Sequence, residues 1–364
     1  MKALVLNPFG IGDVIFSFPL VEGLRFYKAE VDFLCNERTE ELVRMNPSVR
    51  RHFVFNRDRF RELWRTDRKR CLKEAAELFG AVRAERYDVA FDLSMGKEYA
   101  FFLMLAGVRR RIGFHYRGRG LFLTDKFPVA GFDHMPVREY YSALLEKWRP
   151  LYFRAPEYPD LDVGGESERL VEEWRRKNGI GLNETWAVMA PGGGKSWGKD
   201  AHYKQWSEEK FAETARHLAA RHGFRIVLMG GGDEADLCDK VRMAIQLEGA
   251  GLVMAGEDFR LAAAVLKRAR IFIGNDGGLL HLADLLRVPL VGIYGPVSEK
   301  VYGPGGKGHK EVLVHDVPCR PCYHHFRFPP CPYEKRCLTG LETRRVIEAA
   351  DRILGEKSVK ETVR

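Results

Sequence analysis

Four short apolar segments of this chain each run into a glycine-rich turn, and no other feature of the sequence constrains the fold as strongly. Short continuous apolar runs bounded by turns are typical of strands buried in a parallel sheet. A segment with helical periodicity, Val14 to Phe26, follows the first turn. The order strand, turn, helix begins a βαβ unit, so the sequence predicts an α/β fold. The four turns are Gly10-Ile11-Gly12-Asp13, Gly192-Gly193-Gly194, Gly230-Gly231-Gly232 and Gly277-Gly278.

Prolines and glycines separate two such α/β runs. Pro150, Pro156 and Pro159 are followed by Gly164-Gly165, a composition that is typical of a linker. We therefore predict an N-terminal domain over residues 1–160, a C-terminal domain over residues 161–340, and a last helix with a tail over residues 341–364. Buried strands are predicted at Lys2–Asn7, Val31–Leu34, Val54–Phe55, Asp88–Leu93, Trp186–Ala190, Arg225–Met229, Ile271–Gly274 and Leu290–Tyr294.

Composition places the chain among globular proteins. Apolar residues make up 45% of its 364 residues and charged residues 30%, which suffices for a hydrophobic core. The longest apolar run, Tyr99–Val108, is shorter than the ~20 residues of a membrane helix. It predicts a buried core helix, with a membrane contact as the alternative. Met1–Pro8 is too short an apolar stretch for a secretory signal, so we expect a protein of the cytoplasm.

Positive charge is concentrated in the first half of the chain. The net charge is +9, and residues 1–150 hold 27 Lys and Arg against 20 Asp and Glu. The excess is densest at Arg51–Lys73 and at Arg109–Arg119. A basic half indicates an anionic partner, which is a nucleic acid, an anionic lipid or a phosphorylated substrate. A solvated charged face without a partner is the alternative.

Glycine-rich turns at strand ends let backbone N–H groups approach a phosphate, and the following helix adds a favourable dipole. Three of the four turns lie in the predicted C-terminal domain, so a nucleotide is predicted there. None of the turns matches the G-x-x-x-x-G-K-[ST] pattern of a P-loop. The first turn lacks the third glycine of a dinucleotide fingerprint, and Asp13 would repel a pyrophosphate. The N-terminal domain is therefore predicted not to hold the nucleotide.

A set of short motifs, taken in chain order, resembles one enzyme family. The motifs are Gly10-Ile11-Gly12-Asp13-Val14 with Pro19-Leu20, Ala190-Pro191-Gly192-Gly193-Gly194, Lys204-Gln205-Trp206 with Phe211, Asn275-Asp276-Gly277-Gly278-Leu279-Leu280-His281-Leu282-Ala283, Ile293-Tyr294-Gly295-Pro296 and the late Cys-x-x-Cys. Over about residues 1–345 the chain is similar to the ADP-heptose:lipopolysaccharide heptosyltransferases, glycosyltransferase family 9. The resemblance implies the GT-B fold, in which two Rossmann-like domains face a cleft. It also implies an acceptor on the N-terminal domain and a sugar nucleotide on the C-terminal one.

The resemblance implies roles for three charged residues. Asp13 matches the proposed general base of the family, and its alternative role is to cap the first helix. Lys204 matches a lysine that contacts the donor phosphates. Its alternative is a surface lysine, and Lys195 and Lys199 compete for the same role. Glu234 matches an acid that holds the ribose hydroxyls, with an ordinary exposed acid at a helix start as the alternative.

The fourth glycine turn completes the predicted donor site. Backbone N–H groups at Gly277 and Gly278 are expected to bind the diphosphate and Asp276 the sugar hydroxyls. His281 is expected to supply charge or a hydrogen bond, or else to be a satisfied helix histidine. The family often has Thr or Ser where this chain has Gly277, so one side-chain hydroxyl contact is absent. The other predicted donor residues are Gly192, Gly193 and Leu279.

The predicted acceptor residues are Gly12, Arg117 and Arg119. Guanidinium groups pair well with phosphates, so the basic half predicts an anionic glycolipid acceptor. We expect some arginines of the run Arg109–Arg119 to border the acceptor and others to face a membrane surface.

Four of the seven cysteines are clustered near the C-terminus, with the spacing C-x₂-C-x₈-C-x₅-C. Four thiolates with one Cys-x-x-Cys fit tetrahedral zinc, so a structural zinc is one prediction and free or oxidisable thiols are the other. Because we expect a reducing compartment, disulfides are not the default. No cofactor is predicted to be required for catalysis. The cluster comprises Cys319, Cys322, Cys331 and Cys337.

These observations predict an inverting glycosyltransferase that moves a heptose from ADP-heptose to the lipopolysaccharide inner core. We expect it to act as a peripheral protein at the cytoplasmic face of the inner membrane. One alternative keeps the family and changes the nucleotide sugar or the acceptor. Another is a basic, zinc-containing nucleic-acid-binding protein. No nucleic-acid partner is expected, because the chain has no basic repeat interleaved with aromatic residues.

Overall fold

The computed structural model describes residues 1–149, 157–247, 249 and 251–361, except the side chains of residues 57, 195, 196, 199 and 356–361. The chain divides into two compact units, Met1–Asp162 and Val163–Arg364, which we call the first and the second unit. The division lies beside the predicted boundary between residues 160 and 161. Pro150 and Pro156, on which that prediction partly depends, lie outside the described residues.

A six-stranded parallel sheet forms the centre of the first unit. Its strands are β1 (Lys2–Asn7), β2 (Glu30–Cys35), β3 (Arg51–Val54), β4 (Val89–Asp92), β5 (Arg110–Tyr116) and β6 (Asp125–Val129). Their order across the sheet is β3-β2-β1-β4-β5-β6. In the register of the central strand, Leu6 lies between Leu34 of β2 and Asp92 of β4.

Helices cover both faces of this sheet. They are α1 (Ile11–Phe26), α2 (Glu40–Arg44), α3 (Arg57–Thr66), α4 (Arg68–Ala84), α5 (Lys97–Leu105) and α6 (Val137–Trp148), with a short 3-10 helix at Glu37–Thr39. α1 packs against α6. On the other face, Val82 of α4 and Leu103 of α5 join strand residues such as Leu4 in one apolar cluster.

The second unit repeats this plan. Its six parallel strands are β7 (Trp186–Ala190), β8 (Arg225–Gly230), β9 (Gly251–Ala255), β10 (Ile271–Asn275), β11 (Leu290–Tyr294) and β12 (Lys310–Val314). Their order is β12-β11-β10-β7-β8-β9. The helices are α7 (Ser167–Lys177), α8 (Glu208–His222), α9 (Ala235–Ile245), α10 (Phe259–Lys267), α11 (Gly278–Leu285), α12 (Glu299–Tyr302), α13 (Arg336–Thr339) and α14 (Thr343–Glu361), with 3-10 helices at Lys195–Lys204 and Gly232–Glu234.

The last helix belongs to the core of the second unit. α14 packs against α8, β11 and β12, and its Val346 and Ile353 are fully buried. The indole of Trp206 donates a hydrogen bond of 3.1 Å to the carbonyl of Leu341, just before α14. The segment from residue 341 is therefore not an appendage, since it closes one face of the second sheet.

Both sheets have the strand order 3-2-1-4-5-6 of a Rossmann fold when strands are counted within each unit. In such sheets the order reverses beside the first strand, and ligands bind outside the carboxyl ends of the strands at that switch point. The switch points are between β1 and β4 in the first sheet and between β7 and β10 in the second. The predicted α/β class with two Rossmann-like domains is confirmed.

One predicted core helix is only partly buried. The apolar run Tyr99–Val108 forms most of α5, and Ala100 and Leu103 face the core. Phe101 and Leu105 are 42% and 52% exposed, so the opposite face of the helix is apolar and open to solvent. Among the described residues, no helix combines the length and the apolar character that crossing a bilayer requires.

Candidate active site

The switch point of the second sheet brings two predicted site residues into a buried ion pair. Lys204 ends the 3-10 helix after β7, and Asp276 follows β10 directly. Lys204 Nζ lies 2.7 Å from Asp276 Oδ2, and the two side chains are only 3% and 7% exposed. The interpretation of Lys204 as a surface lysine is therefore wrong.

Asp276 is held as a charged carboxylate. Burial raises the pKa of Asp276, but the Lys204 ammonium and the His281 ring outweigh burial and hold the pKa below its ordinary value. His281 Nε2 lies 3.7 Å from Oδ1. The Lys204 ammonium is the partner of Oδ2, and a carboxylate oxygen has a second lone pair beside the one that it uses. The site thus contains a carboxylate oxygen with unused accepting capacity.

Asn275 fixes the two segments that carry this pair, although sequence reasoning did not assign it a role. Its side-chain N–H donates to the carbonyls of Pro191 at 2.7 Å and Gly192 at 3.3 Å. Its Oδ1 accepts the backbone N–H of Trp206 at 3.2 Å. One buried amide therefore ties the loop after β7 and the segment around Lys204 to the end of β10. Its place in the Asn-Asp-Gly-Gly motif was the available signal.

The amino end of α11 lies beside the ion pair. Gly277 precedes the helix, and Gly278 and Leu279 form the start of its first turn. All three are partly exposed, whereas His281 is buried. The first N–H groups of a helix have no partner within it and carry the positive end of the dipole. This end of α11 is therefore suited to an anion such as a diphosphate.

Glu234 contacts the glycine turns rather than the Lys204 pair. Its Oε1 accepts the N–H of Gly194 at 2.9 Å, and its Oε2 accepts the N–H of Gly231 at 3.0 Å. A Cβ at Gly192 would lie 2.0 Å from Oε1, and a Cβ at Gly193 would lie 2.2 Å from the Ala201 carbonyl oxygen. Packing against backbone thus requires a glycine at 193, whereas a side chain at 192 would displace the Glu234 carboxylate. Each carboxylate oxygen has a second lone pair, so Glu234 keeps the capacity to accept from a hydroxyl.

An aromatic ring covers the lysine. Lys204 Nζ lies 4.4 Å from the centre of the Trp197 ring, a cation–π distance. Trp197 is itself packed against Tyr323 and Phe328, with ring centres 4.8 and 4.9 Å apart. Lys195 and Lys199, the predicted competitors of Lys204, have side chains outside the described ones.

The carboxyl edge of the first sheet holds the predicted base. Asp13 lies in the first turn of α1 and is partly exposed. The N-cap of that helix is Gly10, so the interpretation of Asp13 as the cap is wrong. Asn7, at the end of β1, donates to the Asp13 carbonyl at 3.0 Å and accepts the N–H of Phe9 at 3.2 Å. These bonds fix the turn that contains Gly12.

The arginines near β5 fall into two groups. Arg117 and Arg119 follow the carboxyl end of β5, are exposed, and lie 5.1 and 5.8 Å from the Tyr116 ring centre. Arg110 instead pairs with Asp125 at 3.0 Å. Arg111 donates to the Phe122 carbonyl at 2.7 Å. Arg110 and Arg111 therefore stabilise the first unit, and the expectation that some of these arginines border an acceptor and others a membrane stays a prediction.

A second carboxylate lies at the same edge. Asp92 ends β4 beside β1 and accepts the N–H of Ser94 at 2.9 Å. Burial raises the pKa of Asp92 to about 6. The sequence predicted that this residue lies in a strand. The strand pattern alone does not show that its side chain is buried.

The late cysteines line one pocket of the second unit. All seven cysteines lie within the described residues, and every one is a free thiol. Burial, together with the neighbouring thiols of Cys322, Cys319 and Cys331, raises the pKa of Cys337 to about 11. The predicted clustering of these four residues is thus observed.

Two Rossmann-like sheets, one of which gathers a lysine, a carboxylate, a helix amino end and glycine turns at its switch point, define a glycosyltransferase of the GT-B fold. The profile of glycosyltransferase family 9 (heptosyltransferase) matches residues 75–329. The chain therefore belongs to glycosyltransferase family 9, as the motifs predicted.

Individual relatives are similar along almost the whole chain. Lipopolysaccharide heptosyltransferase 2 of Salmonella typhimurium is 24% identical and is aligned over 99% of this chain and 100% of its own. The structure of E. coli ADP-heptose LPS heptosyltransferase II has a TM-score of 0.78 at 22% identity, covering 98% of this chain and 100% of that one. E. coli heptosyltransferase WaaC with ADP has a TM-score of 0.69 at 19% identity, covering 97% and 100%. These two structures support the fold.

Proposed function

We propose that the chain transfers a heptose from ADP-heptose to a sugar of the lipopolysaccharide inner core, with inversion at the anomeric carbon. The observation that carries the proposal is the anion-binding arrangement at the second switch point, where Lys204 and the amino end of α11 lie together. Two relatives, a lipopolysaccharide heptosyltransferase and a heptosyltransferase with ADP, support the acceptor class and the donor.

The donor diphosphate is assigned to the N–H groups of Gly277, Gly278 and Leu279 and to Lys204. An ammonium has three donors, so Lys204 is able to keep Asp276 and still donate to a phosphate oxygen. Asp276 would repel a phosphate, and the remaining lone pairs of its carboxylate oxygens suit a sugar hydroxyl. Glu234 is assigned to the ribose hydroxyls, because its oxygens retain lone pairs beside the bonds to Gly194 and Gly231.

Asp13 is assigned as the general base of a single displacement. The acceptor hydroxyl gives its proton to the Asp13 carboxylate while its oxygen forms a bond to the anomeric carbon. The bond from that carbon to the diphosphate oxygen breaks, and ADP leaves with the electron pair. Charge that develops on the leaving diphosphate is stabilised by Lys204 and the α11 amides, which are donors fixed in advance.

The acceptor is assigned to the carboxyl edge of the first sheet as an anionic glycolipid. Gly12, Arg117 and Arg119 lie at that edge, and both arginines are exposed. Leu121, two residues further on, is 67% exposed, and the exposed Phe101 of α5 packs on Phe122 at 4.9 Å. Exposed apolar side chains beside basic ones favour contact with an anionic membrane surface. We therefore propose peripheral association with the cytoplasmic face of the inner membrane.

One alternative remains within the family. Gly277 offers no side-chain hydroxyl to the donor, which leaves room for a different nucleotide sugar or acceptor. The alternative of a basic nucleic-acid-binding protein is not supported, since family membership makes the chain a glycosyltransferase.

A thermal-shift screen separates these donors. ADP and ADP-heptose are expected to raise the melting temperature more than UDP, GDP and their sugars, because binding to the native state alone stabilises it. AMP serves as the control for the contribution of the second phosphate. Transfer is then followed by mass spectrometry with ADP-heptose and a heptose-free lipopolysaccharide acceptor. Stabilisation by a UDP- or GDP-sugar with no response to ADP would contradict the proposed donor.

A further inference from the structure

The cysteine segment, residues 317–341, carries the feature that catalysis leaves unused. Its four cysteines come from separate turns and from α13, yet all of them line one pocket. Among the described residues that line this pocket there is no Asp, Glu or His. A site whose potential ligands are four sulfurs selects thiophilic metals such as zinc or iron over hard cations such as magnesium.

The charges around the pocket complement a metal thiolate. A divalent ion with four thiolates carries a net charge of −2, since each thiolate contributes −1. Arg320, Lys335 and Arg336 line the same pocket, although Arg320 also pairs with Glu299 at 2.8 Å. The backbone N–H of Lys335 donates to Cys331 Sγ at 3.4 Å. Hydrogen bonds from the surrounding shell orient metal ligands and adjust the properties of the metal.

The four cysteines line one pocket, but no three of their sulfurs lie within 4.8 Å of one another. Zn–S bonds of about 2.3 Å place neighbouring sulfurs about 3.8 Å apart. In the described part of the chain, the one group of three potential ligands whose atoms all lie within 4.8 Å of one another is His217, His222 and Asp351. Binding therefore requires a contraction of the cysteine segment. Cys337 is buried at the start of α13, whereas Cys319 is exposed and Cys322 and Cys331 are partly exposed in loops, so the loops are the part that moves.

We propose that Cys319, Cys322, Cys331 and Cys337 together bind one zinc or iron ion. This ion fixes the cysteine segment against the segment that contains Trp197 and Lys204. The four thiols release their protons to solvent as the metal binds. The ion has a structural role and takes no part in the transfer of the sugar.

The segment touches the proposed donor site through two sets of contacts. Cys322 N and Tyr323 N both donate to the Pro296 carbonyl, at 3.0 and 3.2 Å, just after β11. Tyr323 and Phe328 pack on Trp197, whose ring in turn covers Lys204. Loss of the metal would therefore loosen the support of Trp197 and Lys204. This second half of the inference rests on the proposed function.

The metal is tested on the full chain, purified under reducing conditions and reconstituted with zinc or iron(II). Elemental analysis is expected to find about one equivalent of metal in the native protein and in Cys71→Ser, a matched control outside the cluster. Cys319→Ser and Cys331→Ser are expected to lose it. Cobalt(II) substitution should give thiolate charge-transfer bands in the native protein and in Cys71→Ser, but not in the two cluster variants. A protein without metal after reconstitution, or serine variants that keep it, would overturn the proposal.

The link to the donor site is tested by titrating ADP into the metal-loaded and the chelated protein. Coupling between sites is commonly worth about 1–3 kcal/mol, and the ADP dissociation constant is expected to rise on the order of tenfold upon chelation. An unchanged constant would overturn the coupling. Failure of the loaded protein to bind ADP at all would refute the proposed donor while leaving the metal analysis intact.

Discussion

The two sheets share one strand order, yet the charged side chains that we assign to the site are buried at one carboxyl edge and exposed at the other. At the second switch point the ion pair of Lys204 and Asp276 is almost fully buried. At the first sheet, Asp13 is partly exposed, and Arg117 and Arg119 are exposed. A nucleotide diphosphate is one defined group that fixed donors are able to recognise in advance. Exposed charged side chains attract an oppositely charged glycolipid over a longer range as it approaches from a membrane.

This contrast shows that the same topology supports both buried ion pairs and exposed charged side chains at its carboxyl edge. Buried pairs at the second edge are strongly coupled to stability, because removal of one partner leaves the other charge unpaired. Exposed groups at the first edge contribute little to stability. Substitutions of the exposed groups at the first edge are therefore expected to change catalysis or acceptor binding, and substitutions of the buried pair at the second edge to change folding and donor binding together.

Asp13→Asn is expected to have the largest effect. The change removes the base while keeping the size of the side chain, so kcat should fall on the order of 10²–10⁴-fold. ADP affinity should be unchanged and the melting temperature nearly so. Asp58→Asn is the matched control, since Asp58 is likewise an acid in the first turn of a helix, α3. Turnover near the native rate in Asp13→Asn would show that Asp13 only interacts with the helix dipole.

Lys204→Met is expected to reduce stability and ADP binding together. It leaves Asp276 buried without its cation, which costs about 3–5 kcal/mol in unfolding free energy by denaturant titration. Lys310→Met is the control, because Lys310 pairs with the buried Asp284 at 2.8 Å on another part of the same unit. It should lower stability and leave the ADP dissociation constant unchanged. Equal ADP affinity in Lys204→Met and the native protein would remove Lys204 from the donor site.

Asp92→Asn is expected to change the stability of the first unit in a way that depends on pH. In the folded state the pKa of Asp92 rises from its ordinary 3.8 to about 6, so the folded protein binds more protons than the unfolded one between these values. Asp92 therefore costs stability as pH rises through this window, up to about 3 kcal/mol. Asp92→Asn should stabilise the first unit above about pH 7 and have little effect near pH 4, measured by urea unfolding. An effect independent of pH would contradict a buried ionisable group.

Charge reversal of Arg117 and Arg119 is expected to have the smallest effect. Exposed charge pairs contribute about 0.2–1 kcal/mol each, so the acceptor KM should rise a few-fold while donor binding is unchanged. The effect should fade as salt shortens screening to ~8 Å. Arg109→Glu, at the opposite end of β5, is the control. An acceptor KM that responds neither to the substitutions nor to salt would favour a solvated face.

Sequence predicted the inner strands better than the outer ones. β1, β4, β7 and β10 are continuous apolar runs because each is covered on both faces, and glycine turns mark the ends of β1, β7 and β10. β6, β9 and β12 lie at sheet edges, where polar residues are tolerated, and their mixed sequences were not recognised. The inner strand β5 was not predicted either, since it begins with two arginines. The predicted strand at Val54–Phe55 is instead Arg51–Val54, also at an edge.

The sequence identified several candidate site residues, but it did not predict their burial or their contacts. Glycine turns located the donor edge, but the sequence does not show that Lys204 is buried against Asp276, because residues far apart in the chain create that environment. The same holds for Glu234, whose bonds to two glycine N–H groups depend on how β7 and β8 are paired. Likewise, the apolar run predicted that Phe101 and Leu105 lie in the core. The packing of α5 in the structure instead leaves them exposed to solvent.

The most direct test of the account is a crystal structure with bound ADP. The account predicts that the nucleotide lies at the switch point between β7 and β10, with diphosphate oxygens within hydrogen-bond distance of Lys204 Nζ and of the N–H groups of Gly278 and Leu279. Its ribose hydroxyls should lie against Glu234. A nucleotide bound only at the first sheet, beside the turn that holds Asp13, would contradict the assignment of the donor to the second unit.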